Sequence, residues 1–245
     1  MDLRLKSAKS AISRALRALP YYGWGRRCPI CCKPSQRFRP YSRQKHYEAW
    51  CIHCGSLPRH RFVWLYFSGE TDLLDGRVKR FLHVAPERCI STKIQGYQYL
   101  RQGYVTADIL GPAAMLRMDI TQLPYPNESF DVVYCSHVLE HVVDDTRALM
   151  ELHRVLRKDG WAVLLVPITA AKTIEEPAAT TAAERLAIFG QVDHVRRYGP
   201  DFVERLRESG FKVKVTRTSD ILGIGAVRFM GLASAAGAIH YCTKQ

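Results

Sequence analysis

Two cysteine pairs open the chemistry of this chain. Cys28-Pro29-Ile30-Cys31 and Cys51-Ile52-His53-Cys54 each have C-x2-C spacing, and 19 residues separate them. A tight turn can present both thiolates of such a pair to one ion, and Gly55 gives the second turn a permissive backbone. Four thiolates in a tetrahedron suit zinc, and the spacing is that of a zinc ribbon with a closed, structural site. Cys32 competes with Cys31 for the fourth place, and His46 and His53 are further possible ligands. Free or redox-active thiols are the alternative reading. Cys89, Cys135 and Cys242 are scattered through apolar runs and suggest no second cluster.

The cysteine pairs lie in the basic part of the chain. Of the formal net charge of +13 over 245 residues, residues 1–61 hold +12, with 14 Lys and Arg against Asp2 and Glu48. The rest is nearly neutral, so the chain divides into modules with different tasks. Between the pairs, bases alternate with rings: Arg37, Phe38, Arg39, Tyr41, Arg43, Lys45, Tyr47 and Trp50. That pattern suits RNA, with cations on phosphates and rings stacked on bases; it equally suits a small ribbon core kept soluble by its charges. Leu5, Ala8, Ile12, Leu16 and Leu19 line one face of a basic amphipathic helix that Pro20 should end. With 47% hydrophobic and 24% charged residues the chain is too apolar to be disordered. It has no run long enough for a membrane-spanning helix, so a soluble, cytoplasmic protein is expected.

A chemically competent module needs elements that position its residues, and the second part of the chain supplies an α/β pattern. Phe81–Val84, Tyr104–Ala107, Phe130–Cys135, Trp161–Val166, Phe211–Thr216 and Ile239–Cys242 are expected strands. Residues 144–157, 182–189 and 201–209 have helical character. Such alternation specifies a largely parallel sheet with helices on both faces, whose ligands bind beyond the carboxyl ends of the strands. Those ends carry Ala85-Pro86-Glu87, Asp108, Asp119 and Ser136-His137, followed by Glu140 and His141. An acid about 20 residues after the first turn can accept from both hydroxyls of a ribose, and Asp108 stands 21 residues after Glu87. An Asp that merely caps the next turn would look the same.

The run MDITQLPYPNESFDVVYCSHVLEHVVDDTRALMELHRVLRKDGWAVLLVPI, residues 118–168, resembles class I S-adenosylmethionine-dependent methyltransferases of the ubiquinone/menaquinone type. DHVRRYGPDFVERLRESGF, residues 193–211, is similar to the segment leading into their sixth strand. The resemblance covers roughly residues 78–245. It implies a Rossmann-like, seven-stranded methyltransferase sheet whose last strand, near Ile239–Cys242, runs antiparallel to the others. It also implies ribose binding by Asp108, adenine flanked by Asp119 and Ile120, and Ser136 and His137 beside the methionine moiety. The first motif departs from the family. FLHVAPERC puts His83 at the usual acidic position and Ala85, Glu87 and Cys89 at the three glycine positions. Either the pocket is lost, or it is rebuilt around His83, Ala85, Pro86 and Glu87, with Glu87 reaching the cofactor's ammonium group. An acid welcomed by the dipole of the next helix is the plainer account of Glu87.

The expected domains are a basic helix over 1–20, a zinc ribbon over 21–60, a connector helix over 61–77 and a methyltransferase domain over 78–245. Methyl transfer chiefly needs alignment in a dry site, and a base only where the nucleophile carries a proton. His141, or His194 beside Asp193, is the expected base; each could instead be a satisfied structural histidine. The span Thr169–Tyr198 is read as an acceptor-binding lid. The expected cofactors are S-adenosylmethionine and zinc, and the expected partner is a methyl acceptor, a small molecule or sugar-containing metabolite. RNA bound through residues 1–61 is the alternative, either as acceptor or as the ligand of a non-catalytic protein.

Overall fold

The computed structural model describes residues 19–41, 46–112, 114–232 and 236–244, without the side chains of His46 and Tyr47. The amphipathic helix expected over 1–20, apart from its last two residues, falls outside them, as do Arg43, Lys45 and any ligand role for His46. Two compact units emerge: residues 1–71, 88–93 and 218–236 form one, and residues 72–87, 94–217 and 237–245 the other.

In the first unit, short antiparallel ribbons carry the cysteines. Arg26–Arg27 (β1) pairs with Pro34–Ser35 (β2), and Arg39–Tyr41 (β3) with His46–Trp50 (β4). Pro58–Glu70 (α1) follows, with proline in its first turn, where a missing N–H costs nothing. Phe62, Val63, Trp64, Tyr66 and Phe67 are buried in succession, so this helix is covered on several sides.

The second unit is built on Phe81–Val84 (β5), Tyr104–Asp108 (β6), Leu116–Arg117 (β7), Phe130–Ser136 (β8), Leu156–Leu165 (β9), Phe211–Arg217 (β12) and Ala238–Lys244 (β13). They form one sheet in the order β12-β13-β9-β8-β5-β6-β7. β5, β6, β7, β8 and β9 pair in parallel, whereas β13 is antiparallel to both β9 and β12. The expected seven-stranded, Rossmann-like sheet with an antiparallel last strand is therefore present. Arg88–Gln95 (α2) and Gln98–Gly103 (α3) separate β5 from β6, and Asp145–Val155 (α4) separates β8 from β9. The Asp144 carboxylate caps α4 by accepting from the Arg147 N–H at 2.9 Å, and Ala148, Leu149, Leu152 and Val155 line its buried face. Gly103 is required where α3 meets β6, because a Cβ there would lie 2.1 Å from the Lys79 carbonyl oxygen. One apolar core joins these elements, running from Leu82 and Val84 through Val133, Leu152 and Leu164 to Cys242.

Between β9 and β12 the chain makes an excursion. Ile174–Glu175 (β10) pairs with Arg196–Arg197 (β11) around Ala182–Phe189 (α5), and Phe202–Glu208 (α6) leads into β12. Thr181 and Glu184 cap α5 reciprocally, and Gly190 ends it in a left-handed conformation. Thr218–Ile221 (α7) and Ile224–Phe229 (α8) follow β12 and group with the first unit. No helix among the described residues is long and apolar enough to cross a membrane.

Candidate functional site

The four sulfurs of Cys28, Cys31, Cys51 and Cys54 lie within 4.8 Å of one another. Cys28 Sγ is 3.7 Å from Cys54 Sγ, and Cys31 Sγ is 3.9 Å from Cys51 Sγ. A tetrahedral ion with Zn–S bonds of about 2.3 Å requires sulfurs about 3.8 Å apart, so the cluster has the dimensions of a zinc site. The two turns have matching backbone bonds. Cys32 N–H donates to Cys28 O at 2.8 Å and Gly55 N–H to Cys51 O at 2.8 Å; Cys28 N–H donates to Lys33 O and Cys51 N–H to Ser56 O. Cys32 thus occupies the place that Gly55 fills in the second turn, and both residues are left-handed, with φ of 58° and 74°. That conformation turns the exposed Cys32 sulfur to the Pro29 carbonyl and explains why it is not the fourth member of the cluster. His53 Nε2 contacts the Pro34 carbonyl at 3.0 Å and is not in the cluster either. Hydrogen bonds from Cys31, Cys51 and Cys54 hold the Cys28 thiol low, while Cys28 pushes the Cys51 thiol up. Negative charge therefore forms readily on one sulfur and resists forming on the next, which is the electrostatic problem a dication relieves.

Arg61 organises this unit. Fully buried, its guanidinium donates to the carbonyls of Ala49, Ser56, Met230 and Gly231 at 2.6–2.9 Å and lies 4.1 Å from the centre of the Phe38 ring. Phe38 is thereby core, while Arg37 and Arg39 are exposed over the rings of Tyr21 and Trp50. Phe38 therefore belongs to the core of this unit, and Arg37 and Arg39 to its surface.

In the second unit, the sheet register sets the carboxyl ends of β5, β6, β7 and β8 side by side. Ala85, at the first glycine position, is left-handed with φ of 47° and donates its N–H to Ala107 O at 2.7 Å. His137, after β8, is left-handed with φ of 56°. Two non-glycine residues in this costly conformation, both at ends of the neighbouring strands β5 and β8, mark a turn geometry held for a purpose. Behind Ala85, the buried His83 ring bridges Tyr104 and Glu87: Nδ1 is 2.6 Å from the Tyr104 hydroxyl and Nε2 is 2.8 Å from Glu87 Oε2. The Tyr134 hydroxyl donates to Glu87 Oε1 at 3.1 Å. His83, Glu87, Tyr104 and Tyr134 thus form a polar network at the altered first motif, drawing on three strands.

Asp108 caps its own turn with one oxygen. Oδ1 accepts from the Leu110 and Gly111 N–H groups, both at 2.9 Å, and Oδ2 takes no hydrogen bond among the described residues. Asp119 Oδ1 likewise accepts from the N–H and hydroxyl of Thr121. Ile120 is only 5% exposed and belongs to the core, so the apolar surface here comes instead from Ile109 and Leu110, 51% and 81% exposed. Pro86 is half-buried beside Glu87, and Ser136 is buried with a hydroxyl that has no hydrogen-bond partner among the described residues.

Beyond β8, the sequence-derived base candidates come together. The His141 and His194 rings meet edge to face at 4.7 Å, and His141 Nδ1 lies 3.1 Å from the Asp193 carbonyl oxygen and 3.4 Å from its carboxylate. Burial pushes His194 below its ordinary pKa. The buried Arg196 fastens the region by donating to the carbonyls of Leu139, Val142 and Val143, and by pairing with Glu175 at 2.8 Å. Sequence reasoning missed Tyr104, Tyr134 and Glu140, whose partners come from other strands or from a distant loop.

A family model described as "Methyltransferase domain" matches residues 85–164, the stretch from the β5 turn through β9. That stretch is similar to methyltransferase domains. Over 62 residues the chain is 42% identical to "Probable methyltransferase PMT19" of Arabidopsis thaliana, covering 25% of this chain and 10% of that protein. Over 88 residues the chain is 31% identical to "Uncharacterized protein YafS" of Escherichia coli, covering 30% and 37% of the two. The matches thus span from a tenth to just over a third of those relatives. Among solved structures, the 1,6-didemethyltoxoflavin-N1-methyltransferase of Burkholderia thailandensis, determined with S-adenosylhomocysteine, aligns with a TM-score of 0.47 at 16% identity, over 76% of this chain and 87% of that one.

Proposed function

We propose that the protein is an S-adenosylmethionine-dependent methyltransferase, and that its basic first unit is a structural zinc ribbon. The observation that carries the reading is the row of Glu87, Asp108, Asp119 and Ser136 at neighbouring strand ends of a methyltransferase domain, framed by the left-handed Ala85 and His137. The groups fit a nucleoside with an amino-acid tail. Asp108 Oδ2 is open to ribose hydroxyls, Ile109 and Leu110 offer apolar cover for a base beside Asp119 and Ile120, and the negative charge of a Glu87 carboxylate suits an ammonium group. Ser136 and His137 are assigned to the methionine end.

When bound, the cofactor supplies a methyl group already activated by its sulfonium. The protein has to hold an acceptor in line and exclude water. Asp193 orients His141, and His194 is kept neutral by burial, so an imidazole here can take the proton of an acceptor hydroxyl. We assign the acceptor to small molecules or sugar-containing metabolites. RNA is the second reading, favoured by Trp24 and Tyr22, which are 83% and 56% exposed in the basic unit. Labelled methyl transfer to a cell extract fractionated into RNA, protein and small molecules separates the two. Label in the small-molecule fraction supports the first reading. Label in RNA, with affinity that falls steeply with salt and on neutralising Arg37, Arg39, Arg43 and Lys45, replaces it with the second.

A further inference from the structure

Glu140 is a charged residue in a position that its surroundings do not explain. It is 2% exposed, its Oε2 has no hydrogen-bond partner among the described residues, and its Oε1 lies 3.4 Å from His137 Nδ1. A buried carboxylate left in this state is costly unless something cationic completes it. One carboxylate oxygen of Glu140 and one ring nitrogen each of His141 and His194 lie within 4.8 Å of one another.

We propose that Glu140, His141 and His194 bind a divalent first-row transition cation, with open coordination positions that take an oxygen donor of the methyl acceptor. Two imidazoles and one carboxylate are the donor set that zinc, iron(II) and manganese accept with positions to spare. His141 Nδ1 is engaged by the Asp193 main-chain carbonyl, which leaves Nε2 for a metal, the arrangement typical of ligating histidines. The backbone fixes the geometry: the Val195 N–H donates to Glu140 O at 2.9 Å, tying the turn that carries Glu140 and His141 to the segment that carries His194. Arg196 clamps the same turn through the Leu139, Val142 and Val143 carbonyls. His141 is the exposed member, so the open positions face solvent, where an acceptor enters.

The site follows β8 directly, beside His137, so a bound cation would hold an acceptor hydroxyl close to the methyl-transfer position and lower its pKa. In that form the two imidazoles act as ligands and not as free bases. The acceptor half of the proposal rests on the methyltransferase reading; the cation half does not.

Manganese(II) is the probe, because a four-thiolate cluster selects zinc and leaves Mn2+ to nitrogen and oxygen donors. The full-length protein, carrying whatever zinc it retains on purification, is titrated with Mn2+ and the free ion followed by electron paramagnetic resonance. Saturable uptake of one Mn2+ per chain is expected, weakened at least tenfold in Glu140→Gln and His194→Ala, with zinc content unchanged. His141→Ala, at an exposed position, gives the same readout should either buried variant fail to fold. Absence of saturable uptake, or equal affinity in the folded variants, overturns the site. S-adenosylhomocysteine binding measured on the same samples separates the two claims: lost Mn2+ uptake with retained nucleoside binding is a failure of the variants' metal site alone.

Discussion

Replacing Arg61 with methionine keeps most of the side-chain volume and removes every donor. The guanidinium makes four hydrogen bonds to backbone carbonyls, with no carboxylate in the set. At about 1 kcal/mol net for each bond the loss is about 4 kcal/mol; neighbouring bonds are not additive, so 3 kcal/mol is the lower edge expected. Set against a typical domain stability of roughly 5–15 kcal/mol, that is enough to loosen the whole first unit. The Ser56 carbonyl keeps the Cys51 N–H at 3.0 Å, so the second cysteine turn should survive locally while its link to residues 230–231 is lost. Urea titration followed by tryptophan fluorescence reports this unit through Trp24, Trp50 and Trp64, and zinc release to a chelator reports the cluster. Arg61→Lys should fall between wild type and Arg61→Met, because an ammonium cannot span four carbonyls as a planar fork does. A loss below about 1 kcal/mol with unchanged zinc release would refute the assignment of Arg61 as the organiser of the unit.

Asp108→Asn should retain the turn, since its amide oxygen can still accept from Leu110 and Gly111, yet weaken S-adenosylhomocysteine about 10–100-fold by isothermal calorimetry; unchanged affinity removes Asp108 from the ribose. Cys32→Gly should leave zinc content unchanged and raise stability by up to about 1 kcal/mol, because a left-handed non-glycine residue is relieved; loss of zinc would make Cys32 a ligand. His240 is buried with its pKa lowered to about 4, chiefly by desolvation. A depressed histidine stabilises the fold while neutral, so stability present above pH 6.5 is lost as pH falls toward 4, by about 3 kcal/mol. Chemical unfolding across that range should be correspondingly flatter in His240→Phe.

The strands around the site were legible because each is a short apolar run ended by a polar turn, and Phe81–Val84 matches residue for residue. β9 begins at Leu156, five residues before the apolar run at Trp161, because Arg157-Lys158-Asp159 extend the strand despite their polarity. The cysteine cluster could be read from spacing alone. The role of Cys32 was also there to be read, in the comparison of Cys-x-x-Cys-Cys with Cys-x-x-Cys-Gly. What spacing cannot show is register. Tyr104 and Tyr134 reach His83 and Glu87 only because β5 lies between β6 and β8, and Glu140 meets His194 only because residues 193–195 return to the turn after β8. Nor can it show burial: Ile120 lies in the core, while Ile109 and Leu110 are the exposed apolar residues near the strand ends.

The strand-end acids of the second unit are proposed to form a nucleoside site despite the missing glycines. Calorimetric titration of the full-length protein with S-adenosylhomocysteine tests it most directly. One saturable site per chain is expected, weakened by Asp108→Asn and by Glu87→Gln. No heat and no thermal shift at millimolar ligand, in protein shown to be folded, would contradict it.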